Sequence, residues 1–178
     1  MSFIANLRMH LANLANFKGR ETRGVFWPWV GLLFGLAMFV NALVMTQLVM
    51  PVMFVADTVD QMVGAMETYT KFMGVLGVVT VALLAAAVTR RLHDAGKPAW
   101  LGLLPLPFLA FGLFWFTRII SVIFEEDVEG DFMSAFMLGF ANNFIYIVML
   151  GCLVFMLAQA SNPDENRHGP PPNLPSAL

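Results

Sequence analysis

Four apolar runs dominate this chain and constrain its fold more than any other feature: residues 26–56, 72–89, 98–124 and 132–158. About 20 helical residues cross the hydrocarbon core of a bilayer, so each run is long enough, or nearly so, to span. Composition points the same way, with 58% hydrophobic residues, 12% charged and a mean hydropathy of +0.72. A soluble domain carries about 25% charged residues, roughly twice as many. The expectation is an all-α, polytopic membrane protein: a four-span helical bundle preceded by an N-terminal interfacial amphipathic helix.

That preceding helix is read from residues 1–17, where Phe3, Ile4, Leu7, Leu11 and Leu14 recur at helical spacing and Asn6, His10 and Asn13 fall on the other side. The same polar residues, with Arg8, interrupt any apolar core that a cleavable signal would need. Residues 18–160 form the four-span region, and residues 161–178 a polar, proline-rich tail expected to be exposed and extended. At the start of the first run, Lys18, Arg20 and Arg23 sit beside Phe26, Trp27 and Trp29, the pairing of basic residues with an aromatic belt that marks a cytoplasmic boundary. Pro28 suits a first helical turn, and Pro51 should kink or end the run. Residues 57–71 read as a polar connection carrying a short surface helix. Pro105 and Pro107 predict a broken start to the third run. Arg118 would lie about 30 Å along from Pro98 in a continuous helix, an interfacial anchor that snorkels to water.

Orientation follows from the cations. Four spans put both termini on one side, which then holds Arg8, Lys18, Arg20, Arg23, Arg90, Arg91, Lys97 and Arg167, eight of the ten basic residues. The positive-inside rule makes that side the cytoplasm. The acidic block EEDVEGD, residues 125–131, falls on the other side with Asp57, Asp60 and Glu67.

Between the second and third runs lies TRRLHDAGKPAW, Thr89 to Trp100. Arg90 and Arg91 favour a helix C-terminus and lipid phosphates. Asp94 is four residues from Arg90 and three from Arg91, so either can pair with it on one helical face. Gly96 suits a left-handed position after the helix, Pro98 the first turn of the next, and Trp100 the headgroup level.

RRLHDAG followed by a tryptophan resembles the signature of the bacterial inner-membrane domain-of-unknown-function 805 family. FKGRETRGVFW is similar to that family's F-x-G-R-x-x-R-x-x-F-W, and ENRHGPPP to its N-x-x-G-x-x-P, through Asn166, Gly169 and Pro172. Histidine stands at position 168, where the family pattern leads to tyrosine. The resemblance covers roughly residues 17–172 and implies a location and a topology, but no activity and no catalytic residues.

All three motifs fall on the cytoplasmic side of the expected topology, so Arg20, Arg23, Arg90, Arg91, His93, Asp94 and Asn166 can converge. One reading is a polar clasp that holds helix ends and tail together. The other is a site for an anionic headgroup or small anion, because arginines match phosphate oxygens; the clasp is preferred. A His93–Asp94 acid/base pair ranks third, since adjacent helical residues do not face each other and no nucleophile accompanies them. No metal ligand set, cofactor motif or phosphate loop is expected: the three histidines have no second ligand at a recognisable interval, and Cys152 lies inside a span. The basic clusters flank spans, so nucleic acid is not implied. The expected function is non-enzymatic, a membrane protein that organises or binds lipids, a membrane-protein partner or further copies of itself. The alternative is a small transporter or channel using Asn41, Gln47, Asn142 and Asn143.

Overall fold

The computed structural model describes residues 2–56, 58–124 and 129–172. Asp57, residues 125–128 of the acidic block and residues 173–178 of the tail lie outside the described residues. The described chain is all-helical, without strands; one isolated bridge joins Asn166 and Gly169. Helix α1 spans Phe3–Ala12, α2 Arg23–Val44, α3 Met50–Val55, α4 Val59–Asp94, α5 Leu106–Phe124 and α6 Glu129–Ala158. Four stretches are long and apolar enough to cross a membrane: Arg23–Val55, Val59–Asp94, Ala99–Phe116 and Phe132–Ala158. The protein is a multi-pass membrane protein of α-helices.

Prolines account for most of the irregularities. Between α2 and α3 the chain makes one π-helical turn, Met45–Val49, directly before Pro51. Pro51 cannot donate to the carbonyl four residues back, and the wider turn absorbs that loss without ending the span. Pro28 sits in the second turn of α2 rather than the first, because the helix begins at Arg23, earlier than the apolar run. After Pro98 a 3-10 segment, Ala99–Leu103, precedes α5, so the third span starts broken.

The second span corrects the sequence reading. The expected surface helix in 57–71 and the span at 72–89 are one helix of 36 residues, about 54 Å long at 1.5 Å per residue. Its polar first turns contain no proline. Thr68 and Thr70 turn their hydroxyls back onto the Gly64 and Met66 carbonyls, and Glu67 pairs with Lys71 at 3.3 Å. Nothing there favours a break, and a helix longer than the bilayer core simply runs past it.

The chain divides into two compact units. Unit 1 holds residues 2–34, 80–104 and 149–172 of those described. Its core packs Phe26, Trp29 and Leu33 of α2 with Ala87 and Leu92 of α4 and Leu153 and Leu157 of α6; Leu7, Leu14, Val88 and Leu101 close around it. Helix α1 docks on this core by its polar side. Asn6 and His10 are buried, whereas Phe3, Ile4 and Leu11 stay more than half exposed.

Unit 2 holds the described residues of the stretches 35–79 and 105–148. Asn41 Nδ2 donates to Tyr69 Oη at 3.2 Å, and Trp115 Nε1 donates to the Ala135 carbonyl at 2.9 Å. Gly139 lets α5 approach α6: a Cβ there would stand 3.0 Å from side-chain carbons of both Trp115 and Ile119.

Candidate functional site

Unit 1 carries a buried polar cluster built around the last turns of α4. That helix ends in a Schellman turn, with Gly96 N–H donating to the His93 carbonyl and Lys97 N–H to the Leu92 carbonyl. The turn requires a left-handed residue, and Gly96 has φ +71°. Gly19 and Gly169 are the other described residues with positive φ. Each of these three glycines belongs to one of the three family-like motifs. The motifs therefore mark the sharp turns that bring three distant segments to one place.

Helix ends leave four carbonyls without intrahelical partners. Here Ala95 N–H reaches the Arg91 carbonyl, Lys97 N–H that of Leu92, Gly96 N–H that of His93, and Asn162 N–H that of Asp94 at 2.9 Å. Asn166 Nδ2 adds a second bond to the His93 carbonyl at 3.0 Å. The end of α4 is thus completed by the segment that follows α6.

Asp94 is fully buried and binds groups from three segments. Its Oδ1 accepts from Arg20 Nε at 3.1 Å, and its Oδ2 accepts from Arg91 Nη1 and Ser161 Oγ, each at 2.5 Å. Arg20 continues into the tail, donating to the carbonyls of Asn162, Asp164 and Gly169. Of the two sequence candidates for pairing with Asp94, only Arg91 does so.

Arg90 turns instead to Glu21, with Nε 2.9 Å and Nη2 2.8 Å from Glu21 Oε2. Its Nη1 reaches the carbonyls of Asn13 and Asn16, just past the end of α1. Glu21 Oε1 lies 2.9 Å from His10 Nε2, and His10 Nδ1 lies 3.0 Å from the Asn6 carbonyl. The His10 ring stacks on Trp29, centroids 4.9 Å apart. Asn6 Nδ2 donates to the Val25 carbonyl at 2.9 Å, pinning α1 to the first turn of α2.

Arg91 and Arg23 complete the end of α6. Arg91 donates to the carbonyls of Leu157 and Gln159, and Arg23 to that of Ala158 at 3.2 Å. Charge is close to balanced. The guanidiniums of Arg20, Arg90 and Arg91 outnumber the carboxylates of Glu21 and Asp94 by one. The C-terminal ends of α1, α4 and α6 also meet the cluster, and a helix C-terminus carries about half a negative charge. Buried charges are tolerable only when paired and hydrogen-bonded in this way. No buried side-chain nitrogen or oxygen among the described residues lacks a partner.

At the edge, His93 and His168 stack face to face, centroids 3.5 Å apart and planes within 8°. His93 Nδ1 lies 3.3 Å from the Gly19 carbonyl. Arg167 Nε donates to His168 Nε2 at 3.0 Å, so that nitrogen carries a lone pair and the ring is neutral. Burial lowers the His168 pKa below the usual histidine value, and His93, Arg167 and Arg20 push it further down.

The structure brings Arg20, Arg91, Asp94, His93 and Asn166 into contact through shared partners, and joins Arg90 to them through Glu21. Arg23 stands outside the carboxylate pairs, exposed, on the end of α6. Sequence reasoning missed Asn6, His10, Glu21, Ser161 and Asn162. A signal existed for Glu21, the only acid in the first 56 residues, between two motif arginines. The two polar residues at the tail's start carried none.

Chemically the cluster is closed: its donors are taken by carbonyls and carboxylates of the chain itself. Of the four span residues weighed for a transport path, two are similarly occupied. Asn41 bonds Tyr69, and Asn142 Nδ2 donates to the Phe108 carbonyl at 3.0 Å. Gln47 and Asn143 are exposed, and neither side chain makes a hydrogen bond among the described residues.

No curated protein and no solved structure shows significant similarity to the chain. Over residues 14–170 the sequence matches the family described as protein of unknown function, DUF805. That span contains all three motif glycines and nearly every member of the polar cluster, and the chain belongs to this family.

Proposed function

We propose that the protein is a non-enzymatic organiser of the bacterial inner membrane, whose polar cluster is a cytoplasmic clasp that holds α1 against the lipid surface. The observation that carries this reading is the way α1 docks. Its polar side is spent inward, on Glu21, Val25 and Trp29, while Phe3, Ile4 and Leu11 face out beside exposed Arg8. A helix presenting apolar residues and a cation fits the headgroup–acyl boundary, where the arginine can reach lipid phosphate. The cytoplasmic side is supported by the eight-to-two bias of basic residues. The arginines of the clasp are occupied by the chain's own carbonyls, which favours a structural role for them over an open anion site.

The test is spin-label depth in reconstituted bilayers. With Cys152→Ser as background, labels at Ile4 and Leu11 should be accessible to oxygen and shielded from a water-soluble relaxer. A label at Asp164 should show the opposite. Water-exposed labels at both helix positions overturn the reading.

A further inference from the structure

Helix α6 exposes Met133, Phe136, Phe140, Asn143 and Ile147. Their spacing is 3-4-3-4, the repeat that keeps one face turned to a partner helix. Four of the five are large and apolar. The fifth, Asn143, lies near the middle of the span: 11 residues, or about 16 Å, from Phe132. The hydrocarbon core is about 30 Å thick, so this amide sits far from either headgroup layer.

An amide left unpaired in hydrocarbon is costly, because no water is there to satisfy it. Asn142, its neighbour, is already bonded to the Phe108 carbonyl. Asn143 has no such partner among the described residues. Phospholipid acyl chains cannot supply one, since their polar groups stay at the interface. An asparagine, by contrast, is complementary to itself, with one donor group and one acceptor. Two copies related by a two-fold axis can each donate and accept in one contact.

We infer that α6 is a self-association face, and that Asn143 pairs with Asn143 of a second copy at mid-bilayer. The adjoining surface suits this. A cavity of about 640 Å³ lies beside the seam, walled by Phe108, Gly112 and Trp115 of α5 and by Phe140 and Asn143 of α6. It gives the large side chains of a second copy a place to enter. A single polar residue within an apolar seam also fixes register, because any slip buries two amides unpaired. This inference is independent of the clasp, whose residues lie in the other unit.

Site-directed cross-linking in vesicles at fixed protein-to-lipid ratio tests it. In a Cys152→Ser background, Ile147→Cys should form a disulfide dimer on mild oxidation. Ile145→Cys, half a helical turn away on the opposite face, should stay monomeric. Adding Asn143→Val should weaken dimerisation roughly three- to tenfold, as expected for one interhelical amide contact, while Asn143→Gln should retain most of it. Förster transfer between labelled copies checks the same ranking without cross-linking. Dimers that form equally through Ile145, or that survive Asn143→Val undiminished, overturn the proposal. So does a monomer with a copurifying lipid or another protein on this face.

Discussion

Replacing Asp94 with asparagine removes one negative charge from the centre of the clasp and leaves its shape nearly unchanged. The carboxylate is fully buried and holds Arg20 Nε at 3.1 Å and Arg91 Nη1 at 2.5 Å, with both arginine side chains at most 1% exposed. Breaking a buried ion pair from one side strands the remaining charge, which costs about 3–5 kcal/mol. Here two guanidiniums are affected, although each keeps carbonyl partners that limit the loss. For a chain of this size 1 kcal/mol corresponds to about 2–4 °C in melting temperature, so Asp94→Asn should lower it by about 6–20 °C. Thermal unfolding in detergent, followed by tryptophan fluorescence, reads this directly. Asp164→Asn, at an exposed tail position, is the matched control and should shift the midpoint little. A double-mutant cycle with Arg20→Gln should give a coupling of about 1 kcal/mol or more. Equal midpoints for Asp94→Asn and Asp164→Asn, with zero coupling, would refute the reasoning.

Glu21→Gln should destabilise clearly and also free α1, because Glu21 joins His10 to Arg90; faster amide hydrogen exchange in residues 3–12 is the readout. Gly96→Ala forces an alanine into φ +71° and should cost about 1–2 kcal/mol, measured as a shift in chemical unfolding. His168 has a lowered pKa in the folded protein, so its contribution is present above about pH 6.5 and is lost as pH falls through the lowered value. His168→Tyr should keep a ring on His93 and remove that part of the acid sensitivity, which melting curves between pH 7.5 and 5 would show.

The spans were legible because twenty apolar residues in a row leave few alternatives. The join at 57–71 was not legible, because threonines that bond back to their own helix look like loop formers in a sequence. The candidate site was legible in part for a different reason. Its glycines mark left-handed turns and its arginines cluster at helix ends, both local signals. Which arginine meets which carboxylate depends on the turns between segments: Arg90 and Arg91 are adjacent, yet they point to Glu21 and Asp94. His10 read as part of a polar stripe on α1. Only the packing of that stripe against Trp29 and Glu21 shows that α1 is mounted with its polar side inward.

Arginine side-chain hydrogen exchange, measured by nitrogen-15 NMR on the protein in lipid nanodiscs, tests the closed clasp most directly. Arg20, Arg90 and Arg91 each donate Nε–H to a buried acceptor: Asp94, Glu21 and the Leu157 carbonyl. These three Nε–H signals should exchange slowly and should not move when anionic lipid replaces zwitterionic lipid. Rapid exchange at these arginines, with shifts that follow anionic lipid content, would contradict the account and make the cluster an open anion site.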